Sequence, residues 1–282
     1  MFPGASRDRD RDAADYAVVV APLDVSTTFQ PGARFGPDRV RQFAASFEDY
    51  DRQTDQHFSD LAVHDHGDVR AWDDAGEYLA YLAGTLDDYT QEGTVPLTVG
   101  GEHTVTAAGV RAVDPDVLVV LDAHLDLREE YDGNPLSHAC VVRRALDGFP
   151  ADSTLDWGPA VEETVILGAR TGSEEEYERA EAEDVTVVPP EDVAAWSVPD
   201  RFAGRSVYLS VDVDAADPGF APGTGTMEPF GLHPREMRDV VRWVAPHCDG
   251  FDVVEVNDRD DGQSATLAGK LLREFVFAHA DA

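Results

Sequence analysis

The feature that most limits what this chain can fold into is a rhythm. Seven short apolar runs, at Tyr16–Ala21, Pro96–Gly100, Val117–Asp122, Thr164–Gly168, Val185–Val188, Ser206–Asp212 and Phe251–Val256, are separated by segments of helical period. Several runs are continuously apolar rather than alternating, the mark of strands covered on both faces. Helices are predicted at Asp38–Phe47, Val69–Leu86, Thr104–Val113, Ser137–Leu146, Glu174–Glu183, Pro234–Val244 and Ser264–His279. Strands alternating with helices in this way build a parallel sheet with right-handed crossovers. The expected fold class is α/β, a single three-layer α/β/α domain around a mostly parallel sheet. Residues 1–14, with their Arg-Asp alternation, are expected to form a flexible tail, and 15–282 the domain.

Charge restricts the partners. The chain carries 56 Asp plus Glu against 22 Lys plus Arg, a formal net charge of −34, and Lys270 is its single lysine. A field of this sign repels nucleic acid and anionic lipid, so neither is an expected partner. At molar salt the Debye length falls to about 3 Å and the self-repulsion is largely screened, so the spread of acids along the chain reads as adaptation to a salt-rich interior. The opening residues lack the apolar core of a secretory signal, and no run approaches the roughly 20 apolar residues that cross a bilayer. Two cysteines, Cys140 and Cys248, make no disulfide framework. A soluble cytoplasmic protein is expected.

Ligands of open α/β sheets lie at the carboxyl ends of the strands. Here Val117–Asp122 runs into Asp122-Ala123-His124-Leu125-Asp126, Ser206–Asp212 into Asp212-Val213-Asp214, and Pro96–Gly100 into Gly101-Glu102-His103, while Phe251–Val256 contains Glu255. Residues two apart on an extended chain share a side, so Asp122, His124 and Asp126 can aim at one point, as can Asp212 and Asp214. The Asp-x-Asp spacing alone carries nothing, because a composition this acidic produces about five such pairs by chance. Position directly after a buried strand is what separates Asp212 and Asp214 from the rest. Four carboxylates and two imidazoles gathered without cations would repel one another, and an oxygen-rich set with a few imidazoles suits Mn²⁺. Two such ions about 3.5–4 Å apart can share carboxylates and lower the pKa of a water.

These residues resemble the ureohydrolases, and within them the agmatinase branch, over nearly the whole chain. The resemblance rests on Pro22-x-Asp24, Pro31-Gly32-Ala33-Arg34-Phe35-Gly36-Pro37, Gly100-Gly101-Glu102-His103, Asp122-Ala123-His124-Leu125-Asp126, Ser137-His138-Ala139, Ser210-Val211-Asp212-Val213-Asp214, Asp217–Thr226 and Val254-Glu255-Val256-Asn257, in the family's order. It implies an arginase-like fold and two Mn²⁺ ions bridged by a hydroxide. His103, Asp122, Asp126 and Asp212 would hold one ion, and Asp122, His124, Asp212 and Asp214 the other. The hydroxide would attack a guanidinium carbon, giving urea and an amine. Glu255 would pair with the guanidinium and His138 would shuttle a proton to the leaving amine. Family members are usually homo-oligomers. Asn257 is not followed by the family's frequent proline, and Met227 stands where proline is common, departures that bear on pocket shape and not on the ligands.

The segment Leu127–Ser137 is where related enzymes read the far end of the substrate. Here it carries Arg128-Glu129-Glu130-Tyr131-Asp132, in which Glu130 and its acidic neighbours suit a terminal ammonium, while Arg128 suits a carboxylate unless Glu129 or Glu130 neutralises it. The expected partner is a small cationic guanidine, agmatine first, with aminopropylagmatine, 4-guanidinobutanoate and arginine as alternatives. A mononuclear zinc deacetylase leaves His103 and Asp214 unexplained, and a non-catalytic metal-binding protein of the same fold is the third reading. The histidines at 57, 64, 66, 233, 247 and 279 belong to no motif and are expected at the surface, and Cys140 is expected to be a buried structural thiol.

Overall fold

The computed structural model describes residues 4–6, 11–70 and 72–282. Eight strands form its main sheet: β1 (Tyr16–Ala21), β2 (Val63–Asp68), β3 (Val95–Gly100), β4 (Val117–Leu121), β5 (Glu163–Leu167), β6 (Val185–Val188), β7 (Val207–Asp212) and β8 (Cys248–Val254). Their order across the sheet is β2-β1-β3-β8-β7-β4-β5-β6, and every neighbouring pair is parallel. The helices are α1 (Gly36–Ala44), α2 (Ala75–Gln91), α3 (Thr106–Val113), α4 (Val141–Asp147), α5 (Glu174–Ala180), α6 (Pro190–Val193), α7 (Pro234–Val244) and α8 (Gln263–Ala280).

The pleat sorts each strand between two layers. Val18 and Val20 of β1, with Val119, Leu209 and Val253, pack against Val240 and Val241 of α7 and Leu271, Leu272 and Phe275 of α8. Ala17, Val19 and Ala21 point the other way, onto Tyr78, Leu79 and Leu82 of α2, and Leu118 and Val120 meet Val141 and Val142 of α4. Both faces are thus buried, which is why these strands read as unbroken apolar runs. Truncating a fully buried core residue such as Leu209 to alanine is expected to cost about 2–5 kcal/mol.

Two sequence expectations change. Val63–Asp68 is an edge strand, pairing with β1, and α2 begins only at Ala75, where the Asp74 side chain accepts the Glu77 N–H at 2.9 Å as its N-cap. The run Val-His-Asp-His-Gly-Asp hides a strand behind polar residues because buried Asp65 is matched by Arg41 at 2.7 Å. Of residues 1–14, Ser6 forms a bridge with His64, alongside β2, residues 11–13 make a single helical turn, and Arg7–Asp10 lie outside the described residues. Among the described residues no helix is long and apolar enough to cross a membrane.

The middle four strands, β3-β8-β7-β4, are neighbours in the sheet. Their carboxyl ends therefore open on one place, although they come from four distant stretches of chain.

Candidate metal centre

Each of the four ends delivers its side chains through a local device. After β3, the backbone at Gly101 runs so close to the loop after β1 that a Cβ there would lie 1.9 Å from the Leu23 carbonyl oxygen. Only glycine fits, and His103 follows at the start of the turn leading into α3. After β4, Asp126 takes a left-handed φ of 51°, and after β8 Glu255 does the same at 61°. Non-glycine residues rarely adopt that region, and such strain concentrates where a side chain must be aimed. After β7, Asp212 caps its own turn by accepting the Asp214 N–H at 2.8 Å.

The side chains converge as the sequence predicts. His103 Nδ1 lies 3.0 Å from Asp126 Oδ2, 3.1 Å from Asp122 Oδ2 and 3.6 Å from Asp212 Oδ2. His124 Nδ1 lies 3.1 Å from Asp214 Oδ2 and 3.4 Å from Asp122 Oδ1. Two groups with metal-ligand spacing result, His103-Asp122-Asp126 and Asp122-His124-Asp214, with Asp122 in both.

The electrostatics of the cluster call for positive charge. Burial pushes the Asp212 carboxyl well above its ordinary value, helped by the charges of Asp214 and Asp122. Asp126 is raised to about 6 by burial and by Asp122. Burial opposes protonation of His103 and His124, yet the facing carboxylates win, lifting His103 well above its ordinary value and His124 to about 12. His103 Nδ1 and Asp122 Oδ2 are buried and make no hydrogen bond. Orphaned lone pairs in a ring of carboxylates fit a divalent cation, and the oxygen-rich donor set with two imidazoles matches a hard or borderline ion.

His138 and Glu255 stand beside this cluster. Glu255 Oε1 accepts the His103 main-chain N–H at 2.8 Å and faces His138 Nδ1 at 3.1 Å. Burial alone would lower the His138 pKa, but the bond to Glu255 and that carboxylate's charge raise it to about 9. The loop after β1 steadies the residue: the His138 main-chain N–H donates to Ser26 Oγ at 2.9 Å, and His138 Nε2 lies 3.1 Å from the Thr28 hydroxyl. That loop hangs on Glu102, a fully buried acid that accepts the Val25 and Ser26 N–H groups at 2.7 Å each. Gly36, at the loop's far end, lies so near the segment after β8 that a Cβ would meet the Val256 carbonyl oxygen at 1.9 Å.

The cluster floors a cavity of about 220 Å³. Here the expectations divide. Arg128 lines the cavity, but its partner is buried Glu176 of α5, at 3.2 Å, and neither Glu129 nor Glu130. Glu129 turns to Arg143 and Arg144, and Glu130 is exposed and does not line the cavity. Thr28, Tyr131, Thr171, Glu176 and Thr226 also line it. Of these only Thr226 falls within a motif that carries the resemblance, although Ser173-x-x-Glu176 is a readable capping box, and Glu176 does cap α5. Cys140 is a buried free thiol, its pKa pushed up to about 12 by burial. His279, expected at the surface, instead donates from Nε2 to the Cys248 carbonyl at 3.1 Å and accepts from the Tyr16 hydroxyl at 2.8 Å.

Residues 14–278 match the arginase family profile. The chain belongs to the arginase family. Among its relatives, an agmatinase of Halalkalibacterium halodurans is 33% identical, the match covering 90% of this chain and 89% of that one. An N(1)-aminopropylagmatine ureohydrolase of Thermococcus kodakarensis is also 33% identical, over 93% and 89%. The crystal structure of an agmatine ureohydrolase of Thermoplasma volcanium superposes with a TM-score of 0.85 at 31% identity, covering 98% of this chain and 93% of that one. This member of the arginase family is accordingly a ureohydrolase, with the family's three-layer fold.

Proposed function

We propose that the chain is a binuclear Mn²⁺-dependent agmatinase, converting agmatine and water to putrescine and urea. His103, Asp122, Asp126 and Asp212 would hold one ion and Asp122, His124, Asp212 and Asp214 the other. Bound there, the ions would supply Lewis acidity that makes water a competent nucleophile near neutral pH.

The chain's own residues do the rest. Glu255 commits Oε1 to His103 and His138, leaving Oε2, which lies toward Gly225, to pair with the flat guanidinium and present its carbon to the cluster. As water adds to that carbon and the C–N bond to the alkyl chain breaks, His138 gives a proton to the leaving amine. A pKa near 9 keeps the imidazolium available at neutral pH.

One observation carries the choice of agmatine. The cavity's single arginine, Arg128, is bound to Glu176, whereas Asp126, Asp212, Asp214 and Glu255 also line the space. Bound cations would offset part of this charge, and the remainder would favour a substrate positive at both ends over one ending in a carboxylate. The net charge of −34 steers such a dication inward.

The test is urea release by Mn²⁺-loaded protein in molar KCl from agmatine, aminopropylagmatine, arginine and 4-guanidinobutanoate. Agmatine is expected to give the highest kcat/KM. Faster cleavage of 4-guanidinobutanoate would mean that Arg128, despite Glu176, reads a carboxylate.

A further inference from the structure

Directly beneath the cluster lies a buried polar chain that the chemistry above does not use. Asp252, in the middle of β8, is fully buried, an expensive place for a carboxylate without a task. The register of β7 and β8 sets it opposite Ser210, whose hydroxyl donates to Asp252 Oδ1 at 2.6 Å. Tyr208, two residues back on the same face of β7, donates to Asp252 Oδ2 at 3.0 Å. Ser210 Oγ in turn lies 3.1 Å from His103 Nε2.

The direction of these bonds decides where the His103 proton sits. With the Ser210 hydrogen committed to Asp252, Ser210 Oγ can only accept from the imidazole. Nε2 therefore carries the hydrogen, and in the neutral ring Nδ1 carries the lone pair. That lone pair points among Asp122, Asp126 and Asp212, the arrangement a cation needs and a proton-bearing Nδ1 would spoil.

We propose that Asp252 and Ser210 are positioning residues that lock His103 in its Nε2–H form and so hold Nδ1 ready for the metal. The pair touches neither substrate nor ion. Its effect is on affinity and on how fast the deeper ion leaves, by the same logic that ties metal-bound histidines to buried carboxylates elsewhere. The inference rests on the metal-centre reading above.

The experiment is Mn²⁺ binding by the full chain, measured by chelator competition with metal counted per chain, for wild type, Ser210→Ala and Tyr208→Phe. Ser210→Ala removes the acceptor of the Nε2 hydrogen and is expected to weaken one of the two sites roughly 10–100-fold while leaving the other near wild type. Tyr208→Phe deletes a buried bond to the same carboxylate but leaves the Asp252–Ser210–His103 link, so its melting temperature falls while both Mn²⁺ affinities stay within about twofold of wild type. Folded Ser210→Ala with unchanged affinity, or an equal loss in Tyr208→Phe, would overturn the relay. Wild type that binds no Mn²⁺ would instead sink the metal-centre reading, and the relay with it.

Discussion

The two imidazoles of the cluster occupy unlike surroundings. His103 has a side chain 1% exposed, sits beneath its carboxylates and is held from behind by Ser210. His124 is 26% exposed, belongs to a loop segment bridged to Thr171, and lines the cavity. Their carboxylate contacts are nearly the same length, so distance does not separate them. Access does. On the proposed metal-centre reading, the deep half would retain an ion and the open half would meet water and substrate.

The comparison breaks first at the residue the halves share. Asp122→Ala removes a donor from both groups, and a loss of roughly a thousandfold or more in kcat/KM is expected, since several kcal/mol of charge stabilisation go with the ions. Metal counting should show both ions depleted. Retention of either would mean that Asp122 does not bridge.

His138→Ala is next, with kcat lower by about 10²–10⁴ and metal content intact. Its pH behaviour has a definite sign. The folded pKa, about 9, lies above the unfolded value near 6.5. The protonated ring therefore stabilises the fold fully below pH 6.5, and that contribution is lost as pH rises through about 9. Activity that needs the imidazolium should fall over the same alkaline limb, and the limb should vanish in the variant.

His103→Ala and His124→Ala sharpen the contrast itself. Both should lose activity, but His103→Ala should weaken ion retention by roughly tenfold more than His124→Ala, because His103 is the ring held from behind by the buried Ser210 hydroxyl. Equal exchange rates in a chelator chase would erase the distinction between the halves.

A smaller change is expected at the rim. Glu176→Gln leaves Arg128 without its compensating charge and should shift preference from agmatine toward 4-guanidinobutanoate by about tenfold, about 1.4 kcal/mol. Unchanged selectivity would place the far end of the substrate elsewhere.

The smallest effect separates site from scaffold. Burial lowers the His279 pKa, so below about pH 6.5 the unfolded ring binds more protons than the folded one, and stability declines with acidification. His279→Gln should soften that decline in thermal melts while leaving Mn²⁺ affinity untouched.

How much of this was legible follows from where the physics is local. Asp122, His124, Asp126, Asp212 and Asp214 betray themselves because charge ends an apolar run, a contrast that needs no partner to interpret. Val63–Asp68 did not, since its burial depends on Arg41 and on strand pairing rather than on its own composition. Arg128 was read with the wrong acids: Glu129 and Glu130 are adjacent in sequence, but Glu176 arrives from a helix 48 positions later. Asp252 offered a signal, an ionisable residue inside the apolar run Phe251–Val256, but its meaning lay in the register with Ser210.

The two loops over the cavity differ in how far they could be redesigned. The stretch that begins near Leu23 is welded to the sheet at Gly101 and Gly36, where a single added methyl would collide with backbone. The stretch after Asp126 is open at Glu129, Glu130 and Asp132, which are exposed, although Gly133, with open space around it, has a φ of 80° that favours glycine. An engineer seeking activity on a new guanidine should therefore rewrite the exposed positions 129, 130 and 132 and leave the first loop and the buried Leu127 and Ser137 alone. Drift among descendants of this chain should leave its variation in the same place.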